Sequence, residues 1–254
     1  MRRSPEPAIP RLRRGACDVA REARHHLFES HPLPRLDLRL KTVARQIRAR
    51  RHADIGSDHG NLLVALLKSG RIEFGIAIEN KRQPFENSRQ SLLGLNGEAR
   101  LADGLNGLFA GETDSLSICG MGGESMVAIL NAHPERVPKK LVLQPNRRPE
   151  LVREWALENE FHLVDEQIAR GHWPYAVLSY RLATGGDPSY QNEDRDAQLM
   201  FGPMTIQRRD PLFVDQLIGE RRYLLDLERL SETSGHRLQV IEGVLRKWNV
   251  DVSR

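Results

Sequence analysis

Seven residues, Asp54-Ile55-Gly56-Ser57-Asp58-His59-Gly60, set two carboxylates, a hydroxyl and an imidazole around two glycines. Gly56 lets the backbone approach a ligand where a side chain would block it. The three-glycine spacing that cradles a pyrophosphate is missing, and the carboxylates of Asp54 and Asp58 would repel a diphosphate. They suit a cation instead. Glu79, with Asn80 beside it, follows Gly56 by 23 residues, the kind of offset at which an acid takes a ribose diol through its two oxygens. Asp103-Gly104 supplies a third acid, able to receive an adenine amino group. Taken singly, each segment also reads as an ordinary turn or helix cap. Together, acids at three successive strand ends outline a site for an adenosine with a positive tail. S-adenosylmethionine has that make-up: an ammonium, a sulfonium and no phosphate.

Two further segments could complete such a site. Gly120-Met121-Gly122-Gly123 leaves room for a methionyl group and an incoming base, or forms a tight packing turn between strand and helix. In Gln144-Pro145-Asn146 the Asn amide presents an acceptor and donors that could hold a base edge. The nine histidines, His25, His26 and His133 among them, show no metal-ligand spacing. Cys17 and Cys119 form neither a disulfide framework nor a zinc site, so a reducing cytoplasmic setting is expected. Cys119, at the end of an apolar strand, is expected to be a small buried hydrophobe.

The elements that would position these residues alternate. A basic amphipathic helix with Leu36, Leu40, Val43, Ala44 and Ile47 on one face precedes a strand over 52–55. Then follow a helix over 62–68 stopped by Gly70, a strand over 74–78, a helix over 84–93 opened by Pro84, and a strand over 99–101. Residues 115–119 form a fourth strand broken by Gly120, followed by a helix over 124–131. Residues 140–144 form a fifth strand stopped by Pro145, followed by a helix over 151–158. Strands over 162–169 and 175–182 close the unit as an antiparallel edge hairpin. Short apolar strands alternating with helices imply an α/β, Rossmann-like, mostly parallel sheet covered on both faces. Residues 187–198 read as a polar linker. Beyond Gly202-Pro203, the stripes Phe213, Leu217, Leu224, Leu227 and Leu238, Ile241, Leu245, Trp248 predict an antiparallel, coiled-coil-like helical hairpin, divided at Ser234-Gly235. Three regions result: a basic extension over 1–35 with one helix over 16–29, a catalytic domain over 36–186, and a linker with helical hairpin over 187–254.

Composition narrows the class. Of 254 residues, 39% are hydrophobic and 28% charged, which excludes a membrane-embedded or wholly disordered chain. The apolar run Leu62–Leu67 falls far short of the roughly 18 residues that cross a bilayer. Residues 1–52 hold fourteen Lys/Arg against five Asp/Glu, while the whole chain is only +4. That basic start suits a polyanion partner or a solvated tail. Its acids and scarce Ser argue against a transit peptide.

In order along the chain stand Leu38-Arg39-Leu40 with Val43-Ala44, Asp54–His59 with Leu62, Glu79 with Pro84, Asp103-Gly104-Leu105, Gly120–Gly123 and Leu143–Asn146. This series resembles the bacterial tRNA (adenine(22)-N1)-methyltransferases, from about Leu36 to Trp248. The resemblance implies a class I methyltransferase sheet, S-adenosyl-L-methionine as donor, tRNA as substrate, and a helical tail that helps grip it. It implies cofactor contacts at Arg39, Asp54, Gly56, Ser57, Asp58, Glu79, Asn80, Asp103, Gly104, Gly120, Met121 and Gly122. Substrate contacts are expected at Arg45, Arg48, His59, Pro145, Asn146, Arg221 and Arg222, with Arg246 and Lys247 as further phosphate candidates. Asp58 is the candidate for stabilising charge or accepting a proton, and Asn146 for orienting the base. No metal and no membrane are implied, and a monomer is expected. Asn61, Leu63, Gln83, Ala102 and Ala176 depart from the family's pattern, more in the substrate half than in the cofactor half. A methyltransferase of another acceptor, or a silent RNA-binding protein with this fold, stays open at this level.

Overall fold

The computed structural model describes residues 33–171, 174–190 and 194–250. Residues 1–32 of the basic extension, with the helix expected over 16–29, lie outside them, and residues 34–254 form one compact unit. Within it a seven-stranded sheet is built from β1 (Ala49–Ile55), β2 (Ile72–Glu79), β3 (Gly97–Leu101), β4 (Ser115–Gly122), β5 (Lys140–Arg147), β6 (Phe161–Ala169) and β7 (Tyr175–Leu182). The order is β3-β2-β1-β4-β5-β7-β6. Strands β1 to β5 are parallel, and β7 pairs antiparallel with both β5 and β6. The chain leaves β1 towards β2 on one side and returns to β4 on the other. Such a reversal opens a crevice at the carboxyl ends of those two strands.

Helices cover both faces because the strands are apolar on both. One core gathers Val43 and Ile47 with Leu62, Leu63, Leu66 and Leu67. They come from α1 (Leu38–Gln46), the turn after it, and α2 (Asn61–Lys68). The other gathers Met126, Leu130, Val152 and Trp155 against Ile55, Ile78, Ile118 and Leu143. These helices are α4 (Gly123–Ala132) and α5 (Pro149–Glu158); α3 (Arg82–Ser91) follows β2. A third core, around Phe201, Phe213, Leu217, Ile241 and Leu245, belongs to the carboxyl-terminal helices. Those are α6 (Arg195–Phe201), α7 (Pro203–Arg208), α8 (Pro211–Leu225) and α9 (Glu232–Lys247).

Several sequence expectations need correction. Pro145 does not stop β5, which runs on to Arg147, and Pro145 pairs with Met121 where the ladder shifts register. A proline is tolerated where the ladder is already irregular. Gly120 likewise does not break β4; the strand continues through a bulge to Gly122. The helix after β2 begins at Arg82, so Pro84 lies inside its first turn. The polar stretch before Gln198 is not all linker. It contains α6, capped by Asp194 through the Ala197 amide and burying Ala197, Gln198 and Phe201. In the final hairpin, Ser234-Gly235 lies within the first turn of α9, capped by Ser231, and Leu227 lies beyond the end of α8.

Candidate functional site

The β1 carboxyl end carries Asp54, 3% exposed, and the loop 56–60. Burial disfavours the charged carboxylate and pushes the Asp54 pKa up to about 6; the hydroxyls of Ser117 and Ser57 and the charge of Arg39 pull the other way. Gly56 stands at φ +73, and a Cβ there would meet the Met121 methyl at 2.5 Å. The loop therefore needs glycine twice over: for its left-handed backbone and for the contact across the crevice. Asp58 also has positive φ, 57°. Its backbone N–H donates to the Glu79 carboxylate.

Glu79 ends β2 and is buried, 6% exposed. Desolvation raises its pKa, the Asp58 amide lowers it, and the charges of Asp54 and Asp58 raise it further. Asp54 and Glu79 are thus close enough to repel each other electrostatically, as two acids facing one ligand would. The Asp103 carboxylate, after β3, accepts from the Asn80 amide at 3.3 Å, so the third acid is joined to the second strand end. Gly104 lies next to it at φ +53, packed on Ile129.

On the other side of the crevice, Gly120 (φ +78) is lined by Arg39 and Asn146. The Gln144 carbonyl oxygen accepts from the Arg39 guanidinium and from the Gly120 N–H at 3.1 Å. Both partners can only donate, so that atom must be oxygen. Gln144 Nε2 then donates to Asn146 Oδ1 at 3.1 Å, and Asn146 Nδ2 donates to the Gly120 carbonyl at 2.8 Å. The orientation of the exposed Asn146 amide is fixed from behind by a fully buried Gln144. Arg39 also faces the Tyr175 ring at 6.0 Å.

The structure therefore brings together Arg39, Asp54, Gly56, Ser57, Asp58, Glu79, Gly120, Met121, Pro145 and Asn146, with Asn80, Asp103 and Gly104 adjoining. The Asp58 carboxylate faces outward, paired with His59 Nδ1 at 2.9 Å, and both side chains are mostly exposed. Gly122 continues the bulge and packs near Glu124. Arg45 and Arg48 are not brought to the crevice. Arg48 precedes the first residue of β1, at the strand end opposite Ile55, and Arg45 lies about 9 Å down the α1 axis from Arg39. Both are exposed. Arg221 is engaged with Glu242 across the helical hairpin at 3.1 Å, and Arg222 is exposed beside it. Lys247 pairs with Asp194 at 2.9 Å.

Three residues escaped the sequence reading. Gln144 was legible only as the end of a strand. His52 and Ser117 carried a signal, since polar residues alternate at 52 and 54 and at 115 and 117 within otherwise apolar strands. The thiol of Cys119 is pushed up by burial and by the charge of Asp54. Among the described residues no cluster of His, Cys, Asp and Glu could hold a metal ion, and no helix is long and apolar enough to cross a membrane.

A family model described as tRNA (adenine(22)-N(1))-methyltransferase matches residues 52–247. The tRNA (adenine(22)-N(1))-methyltransferase of Bacillus subtilis (strain 168) is 29% identical over 208 residues, covering 79% of this chain and 87% of that protein. The crystal structure of the B. subtilis m1A22 tRNA methyltransferase superposes with a TM-score of 0.74 at 27% identity, covering 87% of this chain and 100% of the other. Streptococcus pneumoniae Sp1610, solved in complex with S-adenosyl-L-methionine, gives a TM-score of 0.74 at 26% identity, covering 83% and 100%.

Proposed function

The chain belongs to the tRNA (adenine(22)-N(1))-methyltransferase family, and on that premise we propose how its own residues serve the reaction. It is a methyltransferase that takes S-adenosyl-L-methionine as donor and acts on N1 of adenine in tRNA. The donor supplies a methyl group already activated on a sulfonium, so the protein's task is orientation and exclusion of water. The acid-lined crevice between β1 and β4 suits that donor: Asp54 and Glu79 are buried carboxylates at neighbouring strand ends. This juxtaposition carries the site assignment. Asp54 faces the cationic end, Glu79 the ribose hydroxyls, and Asp103 with Asn80 the adenine edge. Gly56, Ser57, Gly120, Met121 and Gly122 shape the walls.

Asn146, aimed by Gln144, holds the edge of the incoming base. Attack through N1 makes the adenine cationic, and its amino group sheds a proton. Asp58, outward-facing and paired with His59, lies at the mouth to receive it. N1 is engaged in pairing within a helix, so the target base must leave its stack. Arg39 belongs to the cofactor wall. Exposed cations elsewhere, Arg222 among them, hold phosphates, and the enzyme works in the cytoplasm.

Incubation with total tRNA and S-adenosyl-L-methionine, followed by nucleoside analysis, should yield 1-methyladenosine at position 22. A different methylated nucleoside would overturn the acceptor assignment. Failure of the cofactor to bind in calorimetry would overturn the site.

A further inference from the structure

Behind Asp54 runs a row of buried polar groups that neither the cofactor nor the base would touch. In the parallel register of β1 with β4, His52 stands beside Ser115 and Asp54 beside Ser117. Residues two apart on a strand share a face, so all four side chains meet on one side of the sheet. His52 Nδ1 lies 2.6 Å from Ser115 Oγ, and His52 Nε2 lies 2.9 Å from Ser117 Oγ. Ser117 donates its hydroxyl to Asp54 Oδ1. His52 and Ser117 are fully buried and Ser115 is 3% exposed.

The donor count fixes the polarity of this row. A hydroxyl has one hydrogen. If Ser117 gives its hydrogen to Asp54, it must accept from His52 Nε2–H. Burial keeps the imidazole neutral, so Nδ1 is then the bare nitrogen and accepts from the Ser115 hydroxyl. Every hydrogen in the row points towards the Asp54 carboxylate. The opposite polarity, with the hydrogen on Nδ1, leaves Ser117 donating to His52 and requires a protonated Asp54.

We propose that Ser115, His52 and Ser117 are positioning residues that hold the Asp54 carboxylate ionised and in one orientation for the cationic end of the donor. The proposal rests on Asp54 being a cofactor contact. The other groups facing Asp54 are the Ser57 hydroxyl from the loop after β1, Arg39 from α1, Glu79 from β2 and the Cys119 thiol on β4. Arg39 supports the charged form and Glu79 opposes it. The row behind the carboxylate adds a directed donor from within the sheet.

Two measurements test this. Nitrogen NMR of 15N-histidine-labelled protein with S-adenosylhomocysteine or S-adenosylmethionine bound at pH 7 should show His52 neutral and protonated on Nε2. The Nδ1–H form, or an imidazolium, in that complex would overturn the proposal. Calorimetry with S-adenosylmethionine should show affinity falling about fivefold in His52→Leu, the loss expected for one neutral hydrogen bond. His52→Gln, which can keep a donor near the Nε2 position, should stay within about threefold of wild type on the same argument. Ser117→Ala, which removes a single oxygen, takes the place of His52→Leu if circular dichroism shows that variant unfolded. A folded His52→Leu or Ser117→Ala protein that binds as tightly as wild type would overturn the role of the row. Asp54→Asn is the control for the underlying reading. If it binds normally, Asp54 is no cofactor contact; if it binds weakly while the His52 and Ser117 variants do not, only the relay fails.

Discussion

At the scale of single residues, the site is a set of groups whose chemistry leaves few choices. Glu79→Ala should weaken S-adenosylmethionine binding about tenfold or more in calorimetry while leaving the thermal transition nearly unchanged, because the strand end is held by the sheet. Gln144→Glu keeps an acceptor for Arg39 and Gly120 but loses the hydrogen given to Asn146. It should therefore lower kcat on tRNA by about tenfold with little change in cofactor affinity, measured by steady-state methylation and calorimetry. His52 also sets a pH dependence. Its pKa is lowered to about 3 by burial, so its contribution to stability is complete above the unfolded value near 6.5 and is lost as pH falls towards 3. Urea unfolding at pH 5 and pH 7 should show wild type losing about 2 kcal/mol relative to His52→Gln. The acids at 54, 79 and 103 were legible in the sequence because strand ends and glycine loops mark their own places. The amide relay through Gln144 was not, because a polar residue at the end of an apolar run reads as the start of a turn whether or not it is buried.

Elements were legible where periodicity was strong and blurred where one residue type has two uses. The parallel strands, their helices and the edge hairpin follow from apolar runs. Pro145 and Gly120 suggested strand ends but sit on opposite sides of one bulge. The short helices α6 and α7 escaped notice because each is too short for an apolar stripe to repeat, and a buried charge pair on neighbouring elements helps to hold them. Arg153 of α5 is 1% exposed and donates to Glu166 of β6 at 2.7 Å and to the Leu199 carbonyl at 2.8 Å. Glu166 also accepts from the Thr205 amide at 3.0 Å. These bonds tie the carboxyl-terminal helices to the sheet edge. Arg153→Met leaves Glu166 buried without its cation and should cost about 3–5 kcal/mol in urea unfolding. Gly202→Ala should destabilise through the same pair, since its Cβ would meet the Glu166 carboxylate oxygens at 2.1 Å on a backbone at φ +95.

Over the whole molecule, the charge split seen in the sequence bears on how tRNA is met. Deleting residues 1–33 should flatten the dependence of tRNA affinity on salt concentration and leave S-adenosylmethionine affinity unaltered, read by filter binding and calorimetry. The fold and donor could be read from ordered short motifs spread along the chain. The RNA-facing surface could not, because an Arg that pairs with Glu242 and one that would meet a phosphate look alike in one dimension. Strand order adds a demand on the timing of synthesis. Since β7 lies between β5 and β6, a ribosome releases β5 with its outer edge bare, and that edge stays bare until the chain has grown past Leu182. Arg153 waits longer still, its carbonyl partners arriving with Leu199 and Met200. Nascent chains stalled between Arg147 and Leu182 carry an open ladder, so chaperone dependence should peak there and fall once Leu182 has emerged.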